Sequence, residues 1–142
     1  MQTQWLIPLD GSDQALRALD LAVEEGQARV VKPELVLLHV QAPLSSDITR
    51  FIDGKTVDDY HREGGEKVLQ PAREALAASG LAYSAHIMVG EIAPTIAEFA
   101  NSKGCSKIIM GAHGTGSALG LLLGSVSAKV IHLSPLNVLL VH

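Results

Sequence analysis

A single cysteine, Cys105, is present in the chain. That excludes a disulfide framework within one copy and points to a reducing compartment. Aromatic residues make up 4 % of the sequence, so the core must be assembled from Val, Ile, Leu and Ala. There is no run of Lys and Arg, no interleaving of basic with aromatic residues, and the formal net charge is −4. Nucleic acid is therefore not expected as a partner, because binding a phosphate backbone needs a basic footprint. Long apolar runs are missing as well: none approaches the ~18 residues that a membrane helix requires. The short apolar run Trp5-Leu6-Ile7 is stopped by Pro8 and Asp10 and lacks the basic flank of a signal peptide. These absences together lead to the expectation of a cytoplasmic protein with no membrane partner.

What remains is a globular composition, with 142 residues, 47 % hydrophobic and 18 % charged. A single domain over 1–142 is expected, of a size that buries roughly 68–70 % of its unfolded surface. Trp5–Leu9 reads as a buried strand, and Ser12 as the cap of a helix whose Leu16, Leu19 and Val23 share one face. Glu34–Val40 is a second apolar strand after Pro33, and Gln41–Lys55 reads as a polar surface loop. Val57–Ser79 has a helical stripe of Val68, Leu69, Ala72 and Leu76, which Gly64-Gly65 weakens and Pro71 kinks or splits. Tyr83–Val89 is a third strand, and Ala93-Pro94 opens a helix with Ile96, Phe99 and Ala100 inward, ended by Gly104. Lys107–Met110 is a fourth strand; a helix through Val126, Val130 and Ile131 is broken by Pro135, and Val138–Val141 is a fifth strand. Strict alternation of strand and helix implies an α/β fold, an open parallel sheet with helices on both faces.

Between the fourth strand and the last helix lies Gly111–Ser127, free of Lys, Arg, Asp and Glu and rich in glycine. Glycine lets a backbone approach a ligand closely. Gly124-Ser125 directly precedes a helix, where free N–H groups and the helix dipole favour anions, and the hydroxyls of Ser125 and Ser127 add donors. The segment thus has the parts of a phosphate cradle without side-chain cations. A plain glycine-rich connector is the competing reading, opposed by Leu119 and Leu121–Leu123, which call for burial. No Lys follows a suitable Gly, so this is not a Walker A loop. Gly114-x-Gly116-x-x-x-Gly120 is a near miss of the dinucleotide fingerprint, and too late in the chain for its acidic ribose partner.

Gly111-x-x-Gly114, nine residues and then Gly124-Ser125 resembles the Gly-x₂-Gly-x₉-Gly-Ser/Thr signature of ATP-binding members of the universal stress protein family. The flanks resemble that family too: Ile7-Pro8-Leu9-Asp10-Gly11-Ser12, Gly90-Glu91-Ile92-Ala93-Pro94, Lys107 to Gly111, and Pro135 to Val141. The likeness covers nearly the whole chain and is weakest over 41–65. Ser106 departs from it, standing where the family often has Asp. The resemblance implies an adenine-nucleotide α-hydrolase-like sheet in the order 3-2-1-4-5, with the first and fourth strands adjacent where the winding reverses. It implies ATP, or AMP or ADP, as ligand, with Mg²⁺ offsetting charge that no Lys or Arg in the loop can neutralise. Pro8, Asp10 and Val40 would line the adenine pocket. Met110, Gly111 and Gly114 would border the ribose and first phosphates, and Gly124, Ser125, Val126 and Ser127 would hold the remaining phosphates. The implied function is a nucleotide-dependent sensor in the stress response, pairing with a second copy through Val138–Val141. The alternatives are a slow ATPase with His113 as its candidate base, and an interaction dimer with an empty site.

Other residues have two readings each. Asp10 serves either the turn or a ligand, and His113 either approaches a phosphate or metal or sits in solvent. His39 reads as a satisfied strand-end histidine and Cys105 as structural. His61, His86, His132 and His142 have no ligand spacing with carboxylates or Cys105, which argues against a zinc site. Asp53, Asp58, Asp59, Glu63 and Glu66 read as a solvated acidic face, with partner recognition as the alternative.

Overall fold

Strand-forming runs that are apolar on both sides must be covered on both sides, and a computed structural model, describing residues 2–114 and 123–142, shows how. The elements in chain order are β1 (Gln4–Pro8), α1 (Asp13–Gln27), β2 (Glu34–Gln41), α2 (Ser46–Thr49), α3 (Gly54–Ala77), β3 (Tyr83–Val89), α4 (Ile92–Lys103), β4 (Lys107–Gly111), α5 (Ser125–Leu133) and β5 (Asn137–Val141). The strands form one parallel five-stranded sheet in the order β3-β2-β1-β4-β5.

Alternation along the strands divides the core in two. Trp5, Ile7, Leu35, Leu37 and Ile109 meet the alanine stripe of α1 and Leu69, Ala72 and Leu76 of α3. Leu6, Val36, Leu38, Val40, Ile108 and Met110 meet Ala93, Ile96 and Ala100 of α4 and Val130 of α5. On α1 the fully covered positions are Ala15, Ala18, Leu19 and Ala22, with Leu16 and Val23 half-buried beside them. Small residues let that helix sit close to the sheet. Phe99 is likewise half-buried, tilted against the His86 ring at 5.0 Å.

The polar stretch after β2 is not all loop. Ser45 caps the short α2 by accepting from the Ile48 N–H, and α3 starts earlier than expected because Asp53 Oδ1 accepts from the Thr56 N–H at 2.7 Å. Pro71 lies inside α3 without dividing it. Helix α4 starts at Ile92, ahead of the expected Ala93, and Gly104 ends it with φ +80°, a left-handed cap. Ile131 and Leu123 face solvent at 43 % and 37 % exposure, so Leu123 does not meet the burial expected of it. Leu119, Leu121, Leu122, Gly116 and Gly120 lie outside the described residues.

The cap on α3 has a pH signature. Hydrogen bonds from Thr56 hold the Asp53 carboxyl below its ordinary value of 3.8. A carboxyl lowered by folding stabilises the native state above its unfolded value, and that contribution is lost as pH falls through the folded value. The difference in melting temperature between the native protein and Asp53→Ala is therefore expected to be level from about pH 8 to 5 and to shrink below about pH 4. Thermal melts of both proteins across that range check it.

Candidate functional site

The turn after β1 is held from two directions. The Leu9 N–H donates to Leu38 O at 2.8 Å, and Nδ1 of the buried His39 donates to Leu9 O at 2.6 Å. A carbonyl only accepts, so His39 carries its proton on Nδ1. Gly11 then takes φ +86°, which turns the chain into α1. Asp10 Oδ1 accepts from the Ser12 N–H at 2.9 Å and the Ser12 hydroxyl at 2.5 Å, while Ser12 Oγ accepts from Ala15 N. Asp10 thus performs the turn chemistry and also faces the crevice beside it.

Across the crevice, β4 ends against the start of α1. A Cβ on Gly111 would lie 3.1 Å from Ala15 N and Gln14 C, backbone that has little room to yield. The exit is pinned next: Ala112 N–H donates to Val141 O at 2.8 Å, and His113 N–H to Gln14 Oε1 at 2.7 Å. Gly114 follows, and a Cβ there would overlap Asp10 Oδ2. The chain returns at Gly124, whose N–H donates to Ala112 O at 2.8 Å. Gly124 is the N-cap of α5 and supplies no side-chain cap. The first backbone bond of that helix runs from Ala128 N to Gly124 O at 3.0 Å. The N–H groups of Ser125, Val126 and Ser127 therefore precede the intrahelical ladder, at the positive end of the helix dipole.

These pieces line an open crevice of about 200 Å³ at the C-terminal ends of β1, β2 and β4. One wall is apolar: Pro8, Leu38, Val40, Ile92, Ile96 and Met110. The other carries Gly111, Gly114 and the first turn of α5. Asp10 is the one Asp, Glu, Lys or Arg among its described lining residues. The crevice sits where β1 winds one way to β2 and its other neighbour is β4, the switch point at which open α/β sheets bind ligands.

Pro8, Asp10, Val40, Met110, Gly111, Gly114, Gly124, Ser125, Val126 and Ser127 all line this space. One expectation changes: the buried Ser127 hydroxyl donates to Gly111 O at 2.9 Å, so it ties the helix to β4 and leaves only the backbone N–H of that residue for an anion. Ile92 and Ile96 line the pocket unannounced, because their spacing of four on α4 is also that of a helix facing a core. Cys105 is buried at the entry to β4, and burial pushes its thiol up from the ordinary value, consistent with a packing role. Among the described residues no group of three or more His, Cys, Asp and Glu is placed to hold a metal ion. No helix among them is long and apolar enough to cross a membrane.

A sequence model described as "Universal stress protein family" matches residues 2–142. Universal stress protein YxiE of Bacillus subtilis is 34 % identical over 149 residues, covering 99 % of both chains. Among solved structures, hypothetical protein MJ0577 superposes with a TM-score of 0.85 at 28 % identity, covering 99 % of this chain and 96 % of that one. A universal stress protein in complex with cAMP superposes with a TM-score of 0.73 at 27 % identity, covering 99 % and 97 %.

Proposed function

The chain belongs to the universal stress protein family, and from that premise we propose that it is a cytoplasmic, ATP-binding regulatory protein that senses adenine nucleotides in the stress response. One observation carries the reading: the switch-point crevice joins an apolar wall to the open N-terminus of α5. The apolar wall suits a purine ring and the helix start suits phosphates. The related protein that holds cAMP has the same fold and supports adenine as the base. Asp10, which lines the crevice, is a natural acceptor for an adenine amino group, while Gly111 and Gly114 leave room for ribose and phosphate. Mg²⁺ would arrive on the triphosphate, held mainly by phosphate oxygens and water. The one carboxylate among the described lining residues is already engaged by Ser12, which favours binding over hydrolysis.

Calorimetry and thermal shift with ATP, ADP and AMP in turn test the proposal. At ligand concentrations about 100-fold above Kd a binder gains about 2.7 kcal/mol, or roughly 5–10 °C in Tm for a chain of this size. No heat and no shift with any of the three overturns it. Mass spectrometry of ligand released from freshly purified protein would name the nucleotide.

The same reading includes a homodimer through β5. That strand is an edge of the sheet and only partly covered, with Leu139 at 42 % exposure. Light scattering is expected to give twice the mass of one chain, and Leu139→Asp to give a folded monomer, because pairing would bury that charge. A monomer at micromolar concentration for the native sequence overturns the dimer.

A further inference from the structure

Alternation along β2 sends Leu38 and Val40 to the crevice side of the sheet, and Leu35 and Leu37 to the other side, where α1 and α3 pack. His39 has the parity of Leu35 and Leu37, and it is not among the described lining residues of the crevice. If packing were its only task, another leucine would serve there. Instead a polar ring is buried, and its Nδ1 donates to Leu9 O at 2.6 Å. That bond falls where the ladder runs out. The β1–β2 register ends at Pro8 opposite Leu38, and the chain then leaves the sheet, bringing Asp10 to the crevice. We propose that His39 is a positioning residue of the nucleotide site: from the face of the sheet opposite the crevice, its ring holds the Leu9 carbonyl and thereby fixes Asp10 for the nucleotide. This rests on the nucleotide-binding reading and adds to it a residue that acts on the ligand only through another.

The route is short. A trans peptide is planar, so holding the Leu9 oxygen orients the plane that also contains Asp10 N. Gly11, with φ +86°, is the next joint in the chain. Beyond it Ser12 grips Asp10 Oδ1 through its N–H at 2.9 Å and through its hydroxyl. Asp10 is therefore held by His39 on the strand side and by Ser12 on the helix side. Its other oxygen stands against Gly114, where an added Cβ would overlap Oδ2. A turn that rotates at Leu9 thus moves the carboxylate away from the apolar wall and from Gly114 together. Leucine at position 39 would fill much of the space of the ring but leave the carbonyl of the buried Leu9 without that donor. Asparagine carries an amide nitrogen at the same remove from the backbone as Nδ1 and restores the donor.

The experiment is calorimetry with AMP and with ATP on the native protein, His39→Leu and His39→Asn, at a temperature well below every melting midpoint. Thermal melts of the same proteins read the fold separately. His39→Leu is expected to lower Tm and, in its folded state, to weaken Kd for both nucleotides about tenfold. His39→Asn is expected to bind within about threefold of the native protein. A histidine that served stability alone would lower Tm and leave the Kd of the folded protein unchanged. That result overturns the inference and leaves nucleotide binding intact. A loss in His39→Asn equal to that in His39→Leu overturns it as well, because the donor has been restored. Absence of binding by the native protein overturns both readings. Should His39→Leu not fold, NMR of the native protein gives an independent reading. The His39 Nδ1 proton resonance is expected to move when AMP is added, and an unmoved resonance overturns the inference.

Discussion

Replacing Gly124 by valine is expected to abolish adenine-nucleotide binding, weakening Kd by about a hundredfold or more, while leaving the protein folded. The backbone at Gly124 has φ −73° and ψ 162°, extended values that valine adopts readily, so the substitution carries no conformational penalty. The obstacle is contact. A Cβ there lies 3.3 Å from His113 Cα and 3.4 Å from Ala112 O, and both are backbone held in the Ala112–Gly124 hydrogen bond. Two further methyls must spread either into that bond or over the N–H groups that begin α5. Either way the N-terminal turn loses its approach to an anion. Gly114→Val acts by another route, since its nearest neighbour is the Asp10 carboxylate, a side-chain group and not backbone. Gly114→Ala is therefore expected to be milder than Gly124→Val. Calorimetry with ATP reads the binding, and a single cooperative urea transition, lowered in midpoint by the crowding but complete, reads the fold. Native-like affinity in Gly124→Val would sink this account of the cradle.

The glycine spacing makes one half of this candidate site legible in the sequence, because a signature of fixed gaps constrains backbone that must return to the same place. The strands were legible for a simpler reason: Leu6, Val36 and Ile108 lie in runs that are apolar on consecutive positions, as buried parallel strands require. Their order across the sheet was not written in periodicity, since any arrangement of βα units satisfies the same pattern; it came with the family resemblance, and the sheet has that order. The start of α3 was hidden because Asp53 sits among polar residues where a cap looks like any loop aspartate. The apolar wall was half hidden, since Ile92 and Ile96 carry no mark that separates pocket from core. Ser127 misled in a different way: a hydroxyl beside a phosphate cradle reads as a ligand, and only the fold shows it bonded to Gly111 O.

Gly65 is the residue whose sequence reading and structural role diverge most, and Gly65→Val is expected to destabilise the protein by about 3 kcal/mol. In isolation a glycine weakens a helix by about 1 kcal/mol relative to alanine, so removing it would be expected to help. The structure reverses that sign. Gly65 is a buried position on α3, packed on β3, and a Cβ added there would meet Ile87 Cδ1 at 2.6 Å and both Cγ1 and Cγ2 at 2.8 Å. Three carbons of one side chain cannot all be cleared by turning its tip, so either Ile87 leaves its rotamer or α3 lifts from the sheet. Lifting is resisted at the neighbouring turn, where Gln41 Nε2 donates to His61 O at 2.9 Å and His61 Nδ1 donates to Gln41 Oε1 at 2.6 Å. A loss of that size corresponds to roughly 6–12 °C in Tm for a chain of this length. Gly65→Ala should cost less, because helix propensity offsets part of the crowding. The decisive measurement is a double-mutant cycle with Ile87→Ala, read by urea unfolding. If crowding against Ile87 is the cause, Gly65→Ala is harmful in the native background and neutral or favourable beside Ala at 87. Strict additivity of the two changes would show that Gly65 is required for another reason.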